Sequence, residues 1–241
     1  YIHATKDKVG MNFVGDPISK CRVHLFVDAS FAGDLQDSKS TSGAIVVIVG
    51  PNTWVPITWL CKKQGAVSHS STEAEVTALE SALRMEGITA LMLWDLVTEV
   101  FYPEATCVGK PMPKMTSSRE IHQQRFSIID HLLNVDFVPA SKIDPKCLSI
   151  LVILEDSEAV IKMTIKGRST SMRHVSRTHR VNLDWLYDRF QNDPGFRIKY
   201  LRTKFQLADI LTKGSFTAEQ WNVLLKYCSI TSPGIKSGGH D

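Results

Sequence analysis

Four acids, Asp28, Glu75, Asp156 and Asp209, are the residues of this chain whose type and placement could do chemistry. Asp28 closes the run Cys21-Arg-Val-His-Leu-Phe-Val27, and Asp156 closes Ile150-Leu-Val-Ile-Leu154. Glu75 lies in Ser71-Thr-Glu-Ala-Glu-Val76, at the front of a long helical pattern, and Asp209 lies in Gln206-Leu-Ala-Asp-Ile-Leu-Thr-Lys213. Carboxylates gathered at strand ends repel one another unless a cation neutralises them. Hard divalent cations take oxygen ligands. The set therefore predicts a divalent metal site and points to phosphodiester chemistry. Taken singly, Asp28 and Asp156 also read as strand-ending turn residues, and Asp209 as a solvated helix acid.

The elements that must position these acids follow from the pattern. Val23 to Asp28 alternates apolar and polar residues, as a half-buried strand does. Gly43–Val49 and Trp54–Cys61 are β-rich runs separated by Gly50-Pro51-Asn52, which predicts a hairpin and an antiparallel three-stranded meander. A helix follows from an N-cap at Ser70 or Ser71 to about Val100, with a break near Gly87. At about 100° per residue, Glu75 shares a stripe with Leu79, Ala82 and Leu83. Glu73, Thr77, Glu80 and Arg84 share the opposite stripe and are expected to face water. An inward carboxylate is costly unless something pairs with it, which singles out Glu75. Ile150–Leu154 reads as a parallel strand buried on both faces. Helices over 157–165 and 178–191 follow, then a strand over 196–201 and short helices over 207–212 and 218–227. Residues 102–149 carry five prolines and read as an insertion or long loop, with a short helix near 120–133.

Composition sets the outer limits. The chain has 241 residues, 43% of them hydrophobic, and a net charge of +3, which suits a globular fold with a real core. That charge is too small to identify a nucleic-acid partner alone, so local charge matters more. The five cysteines form no Cys-x-x-Cys pair and read as reduced thiols of an intracellular protein, cytoplasmic or nuclear. No apolar run reaches membrane-spanning length. The opening Tyr1-Ile-His-Ala-Thr-Lys lacks an initiator Met and reads as a piece of a longer polypeptide.

Between Glu158 and Asp184 there is no acid, while Lys162, Lys166, Arg168, Arg173, Arg177 and Arg180 are basic. The run is either a solvated basic face or a phosphate-tracking surface. Lys62, Lys63 and Gln64 could add backbone contacts, and read equally as an exposed strand end. Ser71 and Thr72 could meet a phosphate at a helix N-terminus, although helix capping explains them, with Ser70, fully. Asp34, Asp37, Glu73 and Glu155 read as solvated acids. The five tryptophans read as core residues, and His69, His174 and His179 as polar surface or catalytic groups.

Several strings in order resemble one family. Val27-Asp-Ala-Ser-Phe-Ala-Gly-Asp34 with Lys39-Ser-Thr-Ser-Gly43 resembles the signature of copia-type retrotransposon ribonuclease H domains. Trp59-Leu-Cys-Lys-Lys-Gln64, Ser70-Ser-Thr-Glu-Ala-Glu75, Glu155-Asp-Ser-Glu-Ala159, Arg177-Thr-His-Arg180 and Leu207-Ala-Asp-Ile-Leu-Thr-Lys213 are similar to further motifs of that family. Tyr1 to Gly10 resembles the segment joining reverse transcriptase to such domains. The departures are Ser157 where the family has Asn, the His179-Arg180 order, and the length of the insertion. No His-bearing loop precedes Asp209, so the proton-transfer group is not identified.

The resemblance implies an α/β, ribonuclease H-like fold: a mixed five-stranded sheet, three strands antiparallel and two parallel, flanked by helices. Residues 21–231 would form the domain, with an insertion at about 103–149. Residues 1–20 would be the tail of the reverse transcriptase connection and 232–241 a flexible tail. It implies hydrolysis of the RNA strand of RNA–DNA hybrids by two Mg²⁺ ions, replaceable by Mn²⁺, about 4 Å apart. Asp28 would bridge both ions, Glu75 and Asp156 would hold one, and Asp209 the other. The partners would be the hybrid and the reverse transcriptase domain of the same polyprotein, with low sequence specificity because hybrids are read by shape and 2′-hydroxyls. The alternative is a non-catalytic or degenerate nucleic-acid-binding module on the same fold.

Overall fold

The three β-rich runs at the start form the antiparallel meander that their patterns predict. The computed structural model describes residues 6–34, 36–103, 149–167 and 172–231, together with the backbone of 137–138. In chain order the elements are β1 (Val9–Gly10), β2 (Arg22–Ser30), β3 (Thr41–Gly50), β4 (Thr53–Lys63), α1 (Ser71–Ala82), α2 (Ile88–Phe101), β5 (Phe137–Val138), β6 (Leu151–Glu155), α3 (Glu158–Lys166), α4 (Val175–Thr178), α5 (Leu183–Asn192), β7 (Phe196–Tyr200), α6 (Asp209–Thr212), α7 (Ala218–Tyr227) and β8 (Ile230–Thr231).

The central sheet has the order β4-β3-β2-β6-β7-β5. β3 is antiparallel to β2 and β4, while β2, β6 and β7 run parallel. This is the ribonuclease H-like architecture. The five expected strands are present, and the two-residue β5 adds a sixth at the edge, antiparallel to β7. β4 carries Pro56, which an edge strand tolerates because one of its sides needs no ladder donor. β6 is buried at every residue, in keeping with its unbroken apolar sequence and central place. A separate ribbon pairs β1 with β8, and a bridge from Phe13 to Trp54 ties it to the sheet. The expected helix near 120–133 and the 232–241 tail lie outside the described residues, as does the 103–149 insertion except for residues 103, 137–138 and 149.

One core lies between the sheet and helices α1, α2, α3 and α5, with Leu25, Val27, Leu79, Leu83, Ile153 and Phe190 in it. The other lies on the opposite face, where Leu207, Ala208 and α7 residues meet Phe26, Val152 and Leu154. The break near Gly87 is real: Leu83–Gly87 is a π-helical turn between α1 and α2. A Cβ at Gly87 would sit 3.0 Å from Leu25 Cδ2, so glycine lets the turn lie close to the sheet.

Two expectations are corrected. The predicted 178–191 helix starts only at Leu183, as α5; α4 ends at Thr178, and Arg180 between them has a left-handed φ of +60° that cannot continue a helix. The stripe of Glu73, Thr77 and Glu80 does not face water: all three are buried, and only Arg84 is exposed. α1 packs on β2 and β3 and also meets α3. It is a central helix, covered on more than one side.

Candidate functional site

Asp28 lies in β2 opposite Gly43 of β3. β2 and β6 run side by side with Phe26 next to Leu154, and two residues further along each path come Asp28 and Asp156. α1 begins where Ser70 accepts a bond from the Glu73 amide, and its second turn delivers Glu75. Gln64 holds the approach to this helix, donating from Nε2 to Ser42 Oγ at 3.0 Å and to the Ala74 carbonyl at 2.9 Å. The result is that ligand oxygens of Asp28, Glu75 and Asp156 all lie within 4.8 Å of one another.

Asp209 opens α6 and stands beside this group without joining it at that distance. Lys213 Nζ donates to its Oδ2 at 2.5 Å. α6 reaches the strand ends because Gly43 has no side chain: a Cβ there would lie 2.5 Å from Thr212 Cγ2. Gln206 Nε2 donates to the Val27 carbonyl at 2.7 Å and anchors the segment before α6. Thr212 Oγ1 in turn donates to Asp28 Oδ2.

Electrostatics bear the signature of a crowded acid site. Burial, then the charges of Asp28 and Asp156, push Glu75 up to about 9. Burial raises Asp28 above the usual carboxylate range, although Thr212 and Lys213 oppose the shift. Burial also pushes Asp209 up to about 6 against the pull of Lys213, with Asp28 and Asp156 adding repulsion. Glu75 Oε2 and Asp209 Oδ1 are buried without a hydrogen-bond partner. Unpaired oxygens among clustered carboxylates are the donor set that a hard divalent cation fits. These residues could hold such an ion.

Ser71 and Lys62 are exposed, and so are Arg173, Arg177 and Arg180. Thr72 is half-buried and lines a cavity of about 410 Å³ with His69, Ser70, Glu73, Met163 and His174 among its walls. Lys63 is engaged elsewhere: its Nζ pairs with Asp34 at 2.5 Å and Asp37 at 3.0 Å. Asp34 and Asp37 are surface acids, as expected.

Several residues differ from their sequence reading. Glu155, read as a surface acid, is fully buried, and burial with the charge of Glu75 raises it well above the usual range. Glu73, read as facing water, is 1% exposed. The His179 ring, read as a polar surface or catalytic group, is buried against it. Trp54 and Trp94 are core residues, but Trp59 is 69% exposed. Sequence reasoning missed Thr212 and Lys213 as partners of the acids. The signal for Lys213 was its place four residues after Asp209, on the same helical face.

No protein-family model matches the chain. Over 71 residues it is 41% identical to the Retrovirus-related Pol polyprotein from transposon RE1 of Arabidopsis thaliana. It is 39% identical over 71 residues to the corresponding polyprotein from transposon RE2 of the same plant. The chain is similar to a stretch of retrotransposon Pol polyproteins. The matched stretch is 29% of this chain and 5% of each polyprotein, so this ribonuclease H-like chain spans a small part of those relatives. A crystal structure of RNase H1 from the halophilic archaeon Halobacterium salinarum NRC-1 aligns with a TM-score of 0.38 at 15% identity, over 79% of this chain and 94% of that one. The ribonuclease H-like architecture rests on the order and direction of the strands.

Proposed function

We propose that the chain is the ribonuclease H domain of a copia-type retrotransposon polyprotein and that it hydrolyses the RNA strand of RNA–DNA hybrids. The observation that carries this reading is the trio of carboxylates within 4.8 Å, drawn from a strand, the residue that follows a second strand, and a helix, far apart in sequence. Asp28, Glu75, Asp156 and Asp209 are the metal ligands in this reading, and Mg²⁺ is the ion, with Mn²⁺ able to replace it. Bound divalent ions would activate a water and stabilise the leaving 3′ oxygen. The protein's own part is to hold the oxygens in place before any ion arrives. Thr212 fixes one oxygen of Asp28. Lys213 holds Asp209 and tempers the negative field.

In this reading substrate contacts belong to exposed polar and basic groups. Arg173, Arg177, Arg180 and Lys62 would meet phosphates, and Ser71 and Thr72 would offer hydroxyls at the start of α1. Lys63 contributes less directly, since it is already paired with Asp34 and Asp37. Residues 21–231 form the domain in this reading, 1–20 lead from the reverse transcriptase domain, and that domain is the partner in the same polyprotein.

The test is cleavage of an end-labelled RNA–DNA hybrid in Mg²⁺. The RNA strand is expected to be cut while the DNA strand and duplex DNA survive, and Asp28→Asn is expected to lose at least about 100-fold in kcat. Hybrid binding without turnover in either Mg²⁺ or Mn²⁺ would overturn the proposal and leave a non-catalytic binding module.

A further inference from the structure

Glu73 lies two residues before Glu75, and nothing in the proposed hydrolysis uses it. It is 1% exposed. A buried carboxylate is costly unless its oxygens are paired. Oε2 accepts from the His69 amide at 3.0 Å, much as an acid near a helix start reaches back to an orphan donor. The same oxygen meets His174 Nε2 at 3.2 Å. Oε1 meets His179 Nε2 at 2.8 Å, and the side chain of His179 is 1% exposed. The 2.8 Å contact is not aligned as a hydrogen bond. The rings of His69 and His174 complete the cluster edge to face, with centroids 5.4 Å apart. Helix capping accounts for Oε2. It does not account for Oε1 and the burial of His179.

These contacts fasten residues 174–179 to the front of α1. The helix between the two histidines, α4, has four residues. A helix that short cannot hold itself in water; its apolar side is held by Val175, buried in the core with Met172 and Val181, and its histidine ends by Glu73. Arg173, Arg177 and Arg180 project from this anchored piece, all exposed. With the histidine ends released, the long arginine side chains would have more freedom to lose on each binding event.

We infer that Glu73 is a positioning residue for the nucleic-acid substrate: by holding His174 and His179 it fixes the arginines of 173–180 as one phosphate-tracking surface. The inference rests on the proposed nuclease reading.

The test is steady-state cleavage of a labelled RNA–DNA hybrid by the full chain and by two variants, Glu73→Gln and His179→Phe, with thermal melting of each. Glu73→Gln keeps an oxygen for the cap and removes the charge; His179→Phe keeps a buried ring and removes the nitrogen. Both are expected to raise KM about tenfold and to leave kcat within about twofold. The salt dependence of hybrid binding becomes shallower by about one to three counterions. An R173A/R177A/R180A variant raises KM as well, and adding Glu73→Gln to it raises KM little further, because both act on one surface. An unchanged KM in both variants, or a kcat loss as large as the gain in KM, overturns the inference while leaving the nuclease reading intact. If the unaltered chain neither binds nor cuts the hybrid, the nuclease reading falls and takes the inference with it. Should Glu73→Gln melt below the assay temperature, His174→Gln, whose ring is 41% exposed, carries the same comparison.

Discussion

At the scale of the residue, Glu75 sets the behaviour of the site. Burial and two neighbouring acids push it up to about 9, so the folded chain favours its protonated form. Folding stability from this group is full below its ordinary value near 4.5 and is lost as pH rises towards about 9. Asp209 adds a smaller loss between 3.8 and about 6. In chelator, Glu75→Gln is therefore expected to melt several degrees above the unaltered chain at pH 9 and close to it at pH 4, by calorimetry. Parallel melting curves across that range would contradict the assignment. Added Mg²⁺ is expected to raise the melting temperature more at pH 8 than at pH 5, because deprotonated ligands bind it. Glu75 was legible in the sequence because its helical stripe is apolar. Glu73 and Glu155 were not: a helical wheel or strand pattern shows which face meets one layer and says nothing of a second layer on the other side. Asp209, taken alone, read equally as a solvated helix acid and as a ligand. Its helix has only four residues and is tucked against Gly43, so the wheel had no face to report.

At the scale of the element, α6 is held against the strand ends by the absence of a side chain at Gly43. Gly43→Ala would place a Cβ 2.5 Å from Thr212 Cγ2 and 3.2 Å from the Ala208 carbonyl, so α6 must shift. The expected result is a loss of about tenfold or more in kcat, since a misplacement near 1 Å is costly at a reacting centre. Gly65→Ala meets nothing within 4 Å and serves as the matched control, with no change in kcat. Thr212→Val keeps shape but removes the donor to Asp28, and is expected to cost about 1 kcal/mol or more in stability or transition-state binding, read from melting and kcat together. The meander, the break at Gly87 and the buried strand β6 were all legible, because alternation, a glycine and an unbroken apolar run each have one simple structural meaning. The α4–α5 break was not, because Arg180 adopts a left-handed backbone that its residue type does not announce. The β1–β8 ribbon was also missed: two-residue strands carry no periodicity.

At the scale of the whole molecule, charge is local. A net charge of +3 would steer a polyanion weakly, yet three exposed arginines lie close together in sequence on an anchored segment. Arg177→Ala is expected to weaken hybrid binding and reduce its salt slope by about one, whereas Lys63→Ala is expected to change that slope less, because Asp34 and Asp37 already neutralise it. Fluorescence anisotropy over a salt series distinguishes the two. The central claim is that distant parts of the chain converge their carboxylates to bind a divalent cation. Anomalous scattering from Mn²⁺-soaked crystals tests it most directly. The account predicts manganese density at about 2.2 Å from oxygens of Asp28, Glu75 and Asp156, with Asp209 drawn from Lys213 towards a second peak. Ordered carboxylates with no manganese between them, or manganese bound only elsewhere on the protein, would contradict it.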